Sequence, residues 1–113
     1  MNVEQVLEGA IETVKMGWMQ GDLAENATGD PVDPLSPSAV RWCIVGALTR
    51  VEGEEITFRK DTPGLRAIQA LESLLEDEIL SNWNDEDDRT QEDVLSVLNL
   101  ALERVRNNAE VRT

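Results

Sequence analysis

The feature that most constrains the fold is an apolar repeat of helical period, which occurs in segments separated by glycine- and proline-containing stretches. The segments span residues 3–18, 39–48, 63–80 and 90–105. Apolar residues that recur every three or four positions predict helices with one buried face. Strand-like sequence is confined to residues 56–58, which are too few to build a sheet by themselves. We therefore predict an all-α fold, an irregular bundle of about four helices that forms a single domain over residues 1–113.

Capping residues mark where these helices are expected to begin. Four pairs have the spacing of a helix start: Asn2 with Gln5, Ser36 with Pro37, Thr62 with Pro63, and Thr90 with Asp93. In the first and last pairs, two side chains three residues apart can bond each other's backbone N–H groups. In the middle pairs a hydroxyl precedes a proline, which is favoured at the first helical position. The third helix is expected to end near residues 80–82.

The second predicted helix is apolar almost all round, which is typical of a helix buried in the centre of a fold. We expect Trp42 and Cys43 to lie in this central helix. Gly46 and Ala47 have small side chains, so they would let another element approach closely. This helix is therefore predicted to be the spine of the bundle.

Residues 21–38 form one long connection that contains three prolines and two glycines. Loops longer than about 12 residues are typically functional or mobile. However, Leu23, Val32 and Leu35 offer apolar anchors, so an ordered course along the surface is the alternative. The sequence leaves this choice open.

Negative charge is concentrated in one part of the chain. Ten carboxylates lie between residues 72 and 93: Glu72, Glu76, Asp77, Glu78, Asp85, Glu86, Asp87, Asp88, Glu92 and Asp93. Only Arg89 opposes them, so this acidic window carries nine of the 13 net negative charges. A field of this sign repels nucleic acid and anionic lipid, and attracts cations or basic protein surfaces. The sequence therefore predicts no direct nucleic-acid partner and no membrane partner.

Three interpretations of the acidic window stay open: a solvated surface, a binding site for a basic protein surface, and a metal site. For a basic partner, the candidate binding residues are Glu76, Asp77, Glu78, Asp85, Glu86, Asp87 and Asp88. The oxygen-bearing side chains of residues 82–93 have roughly the spacing of a calcium-binding EF-hand loop. However, Asp87 stands where the sharp turn needs glycine, and Asp93 replaces the final glutamate. We therefore predict that this segment is not an EF-hand, and we assign no residue as a metal ligand.

The chain lacks the usual residues of catalysis. It contains no histidine, the commonest general base, and no glycine-rich phosphate-binding motif occurs. The single cysteine, Cys43, has apolar neighbours, where the pKa of a thiol rises and its reactivity falls, so we expect it in the core. The clustered carboxylates have no evident hydrophobic pocket that would raise one pKa for acid–base chemistry. We predict a non-enzymatic protein with no catalytic residues and no cofactor.

The cellular location is also constrained. Residues 1–4 lack the basic start of a secretory signal, and no apolar core follows. The longest apolar run, residues 42–48, is far shorter than the roughly 20 residues needed to span a bilayer. A lone cysteine suits a reducing compartment. We therefore expect a cytoplasmic protein.

Three short strings carry a resemblance to a known family. They are Arg41-Trp42-Cys43 followed by Gly46-Ala47-Leu48, then Trp83-Asn84-Asp85, and then Thr90 leading into Val94 and Ala101. With these strings, residues 18–102 resemble a family of small uncharacterised proteins from actinobacteria and their phages, defined as a domain of unknown function. The resemblance implies no activity.

The hallmark residues of that family are interpreted as architecture. They are Trp42, Cys43, Gly46, Trp83 and Asn84. We expect Trp83 to bury its ring while its indole N–H seeks an acceptor, and Asn84 or Asp85 to bond nearby backbone N–H groups. The functional alternative is that residues 83–85 form part of a small polar pocket.

Three functional hypotheses follow. The leading one is a non-enzymatic interaction protein, of phage or mobile-element origin, whose acidic surface occupies a basic, nucleic-acid-binding site on a host protein. The second is a domain that binds a small molecule or metal with residues 83–88 and the 21–38 connection. The third is a structural or oligomeric module. Salt-sensitive partner binding would favour the first, ligand-dependent thermal stabilisation the second, and self-association the third.

Overall fold

The computed structural model describes residues 1–112, with side chains as far as Asn108. Its elements are helix α1 (Val3–Met16), strands β1 (Ala24–Glu25) and β2 (Arg41–Trp42), and helices α2 (Ile44–Glu52), α3 (Pro63–Leu74), α4 (Leu80–Asn84) and α5 (Gln91–Arg112). The fold is mostly helical, as predicted. It is not purely all-α, because β1 and β2 pair in antiparallel fashion with Ala24 opposite Trp42. Within the described residues, no helix is long and apolar enough to cross a membrane.

Helix α1 lies at the centre of the fold, where it packs against α2, α3 and α5. Its buried apolar side chains are spaced three or four residues apart along one face: Val6, Leu7, Ala10, Ile11 and Val14. The predicted spine, α2, is buried as well, and Ile44, Ala47 and Leu48 are inaccessible to solvent. However, α2 has only nine residues. Helices α2, α3 and α5 all pack against the longer α1, which is therefore the central helix.

Three of the four predicted helix starts are confirmed. Asn2 Oδ1 accepts the Gln5 N–H at 2.8 Å, and Gln5 Oε1 accepts the Asn2 N–H at 2.9 Å. Thr90 and Asp93 form the same reciprocal pair, at 3.0 and 3.2 Å. The Thr62 hydroxyl caps α3. These starts are predictable because each cap is satisfied within one helical turn.

The fourth predicted start is wrong. Helix α2 begins at Ile44, and its cap is Cys43 instead of a serine hydroxyl. The preceding residues are extended because their backbone groups bond a distant segment. The Trp42 N–H donates to the Gly17 carbonyl at 3.1 Å, and the Trp42 carbonyl accepts the Met19 N–H at 3.2 Å. Trp42 and Cys43 are buried, but both lie outside the helix in which they were expected.

The long connection of residues 21–38 follows an ordered course. The indole N–H of Trp42 donates to the Pro34 carbonyl at 3.1 Å. Arg50 donates from Nη1 to the same carbonyl and to that of Ser36, both at 3.0 Å. The Arg50 guanidinium also stacks over the Trp42 ring, 5.5 Å from its centroid. The connection is thus held against α2, and Ser36 lies in a turn rather than at a helix start.

Helix α3 ends earlier than predicted, at Leu74. The chain reverses at Glu76 and Asp77, whose φ angles of 56° and 65° are left-handed. The Asp77 N–H closes this turn on the Glu72 carbonyl at 2.8 Å. Helix α4 then starts separately, and its first N–H, that of Leu80, bonds the Glu72 carboxylate at 2.8 Å. The break places the acidic residues after Leu75 in a turn instead of on a helix.

The close approach predicted at Gly46 is confirmed, because a Cβ there would lie 1.9 Å from the Leu23 carbonyl oxygen. Gly46→Ala is therefore expected to lower the free energy of unfolding by about 3 kcal/mol or more. Gly53→Ala is the control: the space around it is open but its φ is 85°, so a loss of about 1 kcal/mol is expected. Urea unfolding measures both, and equal losses would contradict the backbone clash.

Candidate functional site

The side chain of Asn84 joins three parts of the chain and is fully buried, at 0 % exposure. Its Oδ1 accepts the backbone N–H of Ile44 at 3.0 Å and the indole N–H of Trp18 at 2.8 Å. Its Nδ2 donates to the Met19 carbonyl at 3.2 Å and to Asp85 Oδ1 at 3.0 Å. Every polar atom of this side chain is bonded inside the protein. Asn84 therefore holds the fold together and has no free polar atom to offer a ligand.

The predicted partner-binding residues lie in two turns. The first acidic turn, residues 76–78, connects α3 to α4, and the second acidic turn, residues 85–88, connects α4 to α5. Four of their carboxylate residues are exposed and form no ion pair with any side chain that the structure describes: Glu76, Asp77, Asp87 and Asp88. The remaining three make contacts within the protein.

Asp85 has a structural contact in addition to its charge. Its Oδ1 accepts the Gly21 N–H at 3.0 Å, next to the bond from Asn84. Nearby, Gln20 Nε2 donates to the carbonyls of Asn84 and Glu86, both at 3.0 Å. These bonds fasten the segment after α1 to the second acidic turn. A variant that neutralised Asp85 would therefore disturb this junction as well as remove charge.

The two acidic turns meet at Glu78 and Glu86. Partial removal from water, and next the Glu86 carboxylate, raise the pKa of Glu78 above its ordinary value of 4.5, and Arg89 opposes the shift. Arg89 forms an ion pair with Glu86 and donates from Nε to the Trp83 carbonyl at 2.9 Å. Its guanidinium stacks on the buried Trp83 ring, 4.0 Å from the centroid. One fixed cation thus faces two carboxylates, which leaves a surplus of negative charge.

Cys43 caps α2, and its Sγ accepts the Gly46 N–H at 3.3 Å. Burial raises the pKa of its thiol, the direction predicted for an apolar site. A shallow pocket of about 240 Å³ lies beside it, lined also by Asp22, Ser81 and Asp85. Because the thiol stays protonated at neutral pH, it is a poor nucleophile and a poor metal ligand.

Within the described residues, no three Cys, Asp or Glu side chains converge in an arrangement that could hold a metal ion. The segment that resembles an EF-hand loop uses its side chains elsewhere. Asn84 points into the core, Glu86 pairs with Arg89, and Asp93 caps α5 through the Thr90 N–H. These contacts separate the oxygens that a calcium ion would need at one point.

An apolar groove lies beside the acidic turns, where the end of α3, α4 and the first half of α5 meet. This α3–α5 groove has a volume of about 290 Å³, and its apolar lining consists of Leu74, Leu75, Trp83, Val97 and Leu100. Leu100 is 46 % exposed, and Arg89 and Asp93 lie at the rim. The groove was not predicted, because three helices build it and periodicity does not give their packing order.

Two further residues make contacts that the sequence did not predict. Trp18 was expected on the apolar face of the first helix, but α1 ends at Met16, and Gln20 was assigned no role. Both bond the α4 region across 64 to 66 residues of sequence. No local signal announces such bonds, since neither residue lies near its partner along the chain. Arg89 was counted only as an opposing charge, although its stacking on Trp83 fixes the second acidic turn to α4.

Asn84→Leu tests the role of the buried amide. Leucine has a similar size, but it would leave the Trp18 and Ile44 N–H groups unpaired, at about 1–3 kcal/mol each. We expect the free energy of unfolding to fall by more than about 3 kcal/mol in urea titrations. Asn82→Leu, at an exposed position of the same helix, should change it by less than about 0.5 kcal/mol. Similar losses in the two variants would contradict the role of Asn84.

Glu78→Gln tests the contact between the two acidic turns. The pKa of Glu78 is higher in the folded state than in the unfolded state, so the folded state binds the carboxyl proton more tightly. The free energy of unfolding therefore falls as the pH rises through that pKa. The variant should have a slightly higher Tm than wild type at pH 7. The difference should vanish at about pH 3.5, where the carboxyl group is protonated in both states. Glu55→Gln controls for the general loss of charge, and an equal rise in that variant would argue against a local cause.

The comparisons with known proteins show the family of this chain. A model described as a family of unknown function (DUF6197) matches residues 1–104, which include every contact described above. No curated protein and no solved structure matches the chain. The predicted resemblance to a domain of unknown function is confirmed at this level. Since the match covers most of the chain, the protein belongs to this family of unknown function (DUF6197).

Proposed function

We propose that this chain is a non-enzymatic protein that binds a basic surface of another protein through its two acidic turns. The observation that carries the proposal is the group of exposed carboxylates at Glu76, Asp77, Asp87 and Asp88, which form no ion pair with the side chains of residues 1–108. They project from two adjacent turns that meet at Glu78 and Glu86. A surface of this kind raises the association rate with a cationic partner and selects its orientation.

The backbone of the acidic turns adds support. Glu76, Asp77 and Asp88 have left-handed φ angles of 56°, 65° and 69°. Aspartate, like asparagine, enters this region more readily than other residues with a Cβ, so the turns themselves account for Asp77 and Asp88. Glutamate loses about 1–2 kcal/mol there relative to glycine, so local stability does not account for Glu76. Negative charge at the surface is a reason for a carboxylate at that position.

The site is proposed to mimic the charge of nucleic acid and to occupy a basic, nucleic-acid-binding surface of a host protein. An origin in a phage or mobile element and a cytoplasmic location belong to the same proposal. The alternative of a small-molecule site at residues 83–88 has less support, because Asn84 Oδ1 and Asp85 Oδ1 accept hydrogen bonds within the protein. No specific contact favours an oligomeric module.

Affinity capture with matched charge variants tests the proposal. The test variant combines Glu76→Gln, Asp77→Asn, Asp87→Asn and Asp88→Asn, and it leaves the structural Asp85 and Glu86 unchanged. The control variant loses the same charge elsewhere, through Glu12→Gln, Glu54→Gln, Glu55→Gln and Glu103→Gln. Wild type and control should retain the same basic protein from a lysate of the encoding cells at about 0.05 M salt and release it at about 0.5 M. The test variant should lose it.

Equal retention by the test and control variants would contradict the proposal, since overall charge would then explain the binding. Retention that persists at high salt would also contradict an electrostatic mechanism. Circular dichroism of both variants checks that the fold is intact. The substituted side chains of the test variant are exposed. Asparagine tolerates left-handed backbone, and glutamine at position 76 has the same backbone demands as the glutamate it replaces, so we expect both variants to fold.

A further inference from the structure

The α3–α5 groove joins an apolar floor to an acidic rim. Its floor contains Trp83, only 8 % exposed, and Val97, while Leu100 stands at its edge with 46 % of its surface in water. Leu100 belongs to α5, which packs against α1 and α3 through its other side chains. Its exposed part is an apolar surface that no described residue covers. The groove is a shallow, open depression of about 290 Å³, so an apolar side chain could rest against Leu100 and Trp83 without being enclosed.

The rim of the groove carries more negative than positive charge. Asp93 lines it directly, and so does Arg89, whose charge Glu86 already compensates. Glu78 lies beside this pair, and the first acidic turn follows Leu75, a lining residue. A partner that covers the rim would remove water from these carboxylates. It would need to supply cations in return, because burying an unpaired carboxylate costs free energy.

The occupant is therefore chemically specified. A wholly polar basic surface would leave the apolar side chains of Leu100 and the groove floor without an apolar contact. An uncharged apolar segment would remove water from the rim carboxylates without supplying a cation. A second copy of this chain would bring the same acidic rim against itself, which like-charge repulsion disfavours. A segment with apolar side chains on one face and lysine or arginine on the other satisfies both parts of the surface.

We propose that the α3–α5 groove receives an amphipathic basic segment of the partner protein, whose apolar side chain rests against Leu100 and Trp83 while its cations meet the acidic turns. This inference rests on the proposed function, to which it adds the chemical class of the partner. The cations would provide attraction over distance, and the apolar contact would provide the specificity that charge alone lacks.

Two fluorescein-labelled peptides of leucine and lysine test the inference. One has helical periodicity, with leucines on a single face, and the other has the same composition in scrambled order. Fluorescence anisotropy should show tighter binding of the periodic peptide to wild type. Leu100→Ser should weaken that binding about fivefold, as expected when a half-exposed leucine contact is lost, and should leave the scrambled peptide unaffected. Ser96→Lys, which places a cation in the groove, should also weaken binding of the periodic peptide, because the new lysine repels the lysines of the peptide.

Leu35→Ser is the matched control, since Leu35 is a similarly exposed leucine (39 %) on the long connection. Equal affinity for the two peptides, or equal losses in the two leucine variants, would overturn the groove as the docking site. The capture experiment with the charge variants would still decide the proposed function independently. A dimer in sedimentation velocity that Leu100→Ser dissolves would identify a second copy as the occupant and would also overturn the inference.

Discussion

The bonds of one buried amide hold the molecule together. Asn84 accepts the N–H that begins α2 and the indole N–H of Trp18, and it donates to the carbonyl of Met19. Without it, three polar groups from two separate segments, residues 18–19 and Ile44, would lose their partner, and each such loss costs stability. The short helix α4 places Leu80 and Trp83 in the core, so its position depends on these two side chains and on this polar contact. The position of the two acidic turns depends on α4 in turn.

This arrangement divides the acidic window into two classes of residue. Asp85 and Glu86 make contacts that fix the second acidic turn, to Gly21 and to Arg89 respectively. The exposed carboxylates beside them have no such contact and contribute charge to the surface. The sequence alone treats all these carboxylates alike, because charge counting does not show which oxygens already have partners. The distinction decides which variants can test a binding function without disturbing the fold.

Short-range interactions in this chain are predictable from its sequence, and long-range interactions are not. The starts of α1, α3 and α5 were predictable because each cap and its target lie within one turn of the helix. The start of α2 was not, although Ser36 and Pro37 carry an equally good local signal. Their segment is held by Arg50, and Trp42 is held extended by Gly17 and Met19. Bonds to a distant segment therefore outweighed the local preference for helix.

A mostly helical fold, an apolar core, a buried cysteine and a concentrated negative charge can all be predicted from this sequence, because composition, helical period and caps act locally. Three features depend on tertiary packing instead: residues 41–42 pair with residues 24–25, Asn84 joins three segments, and an apolar groove lies beside the acidic turns. Each of these features brings together residues far apart in the chain. Their formation depends on how the helices pack, and the apolar period of a single helix carries no information about its neighbours.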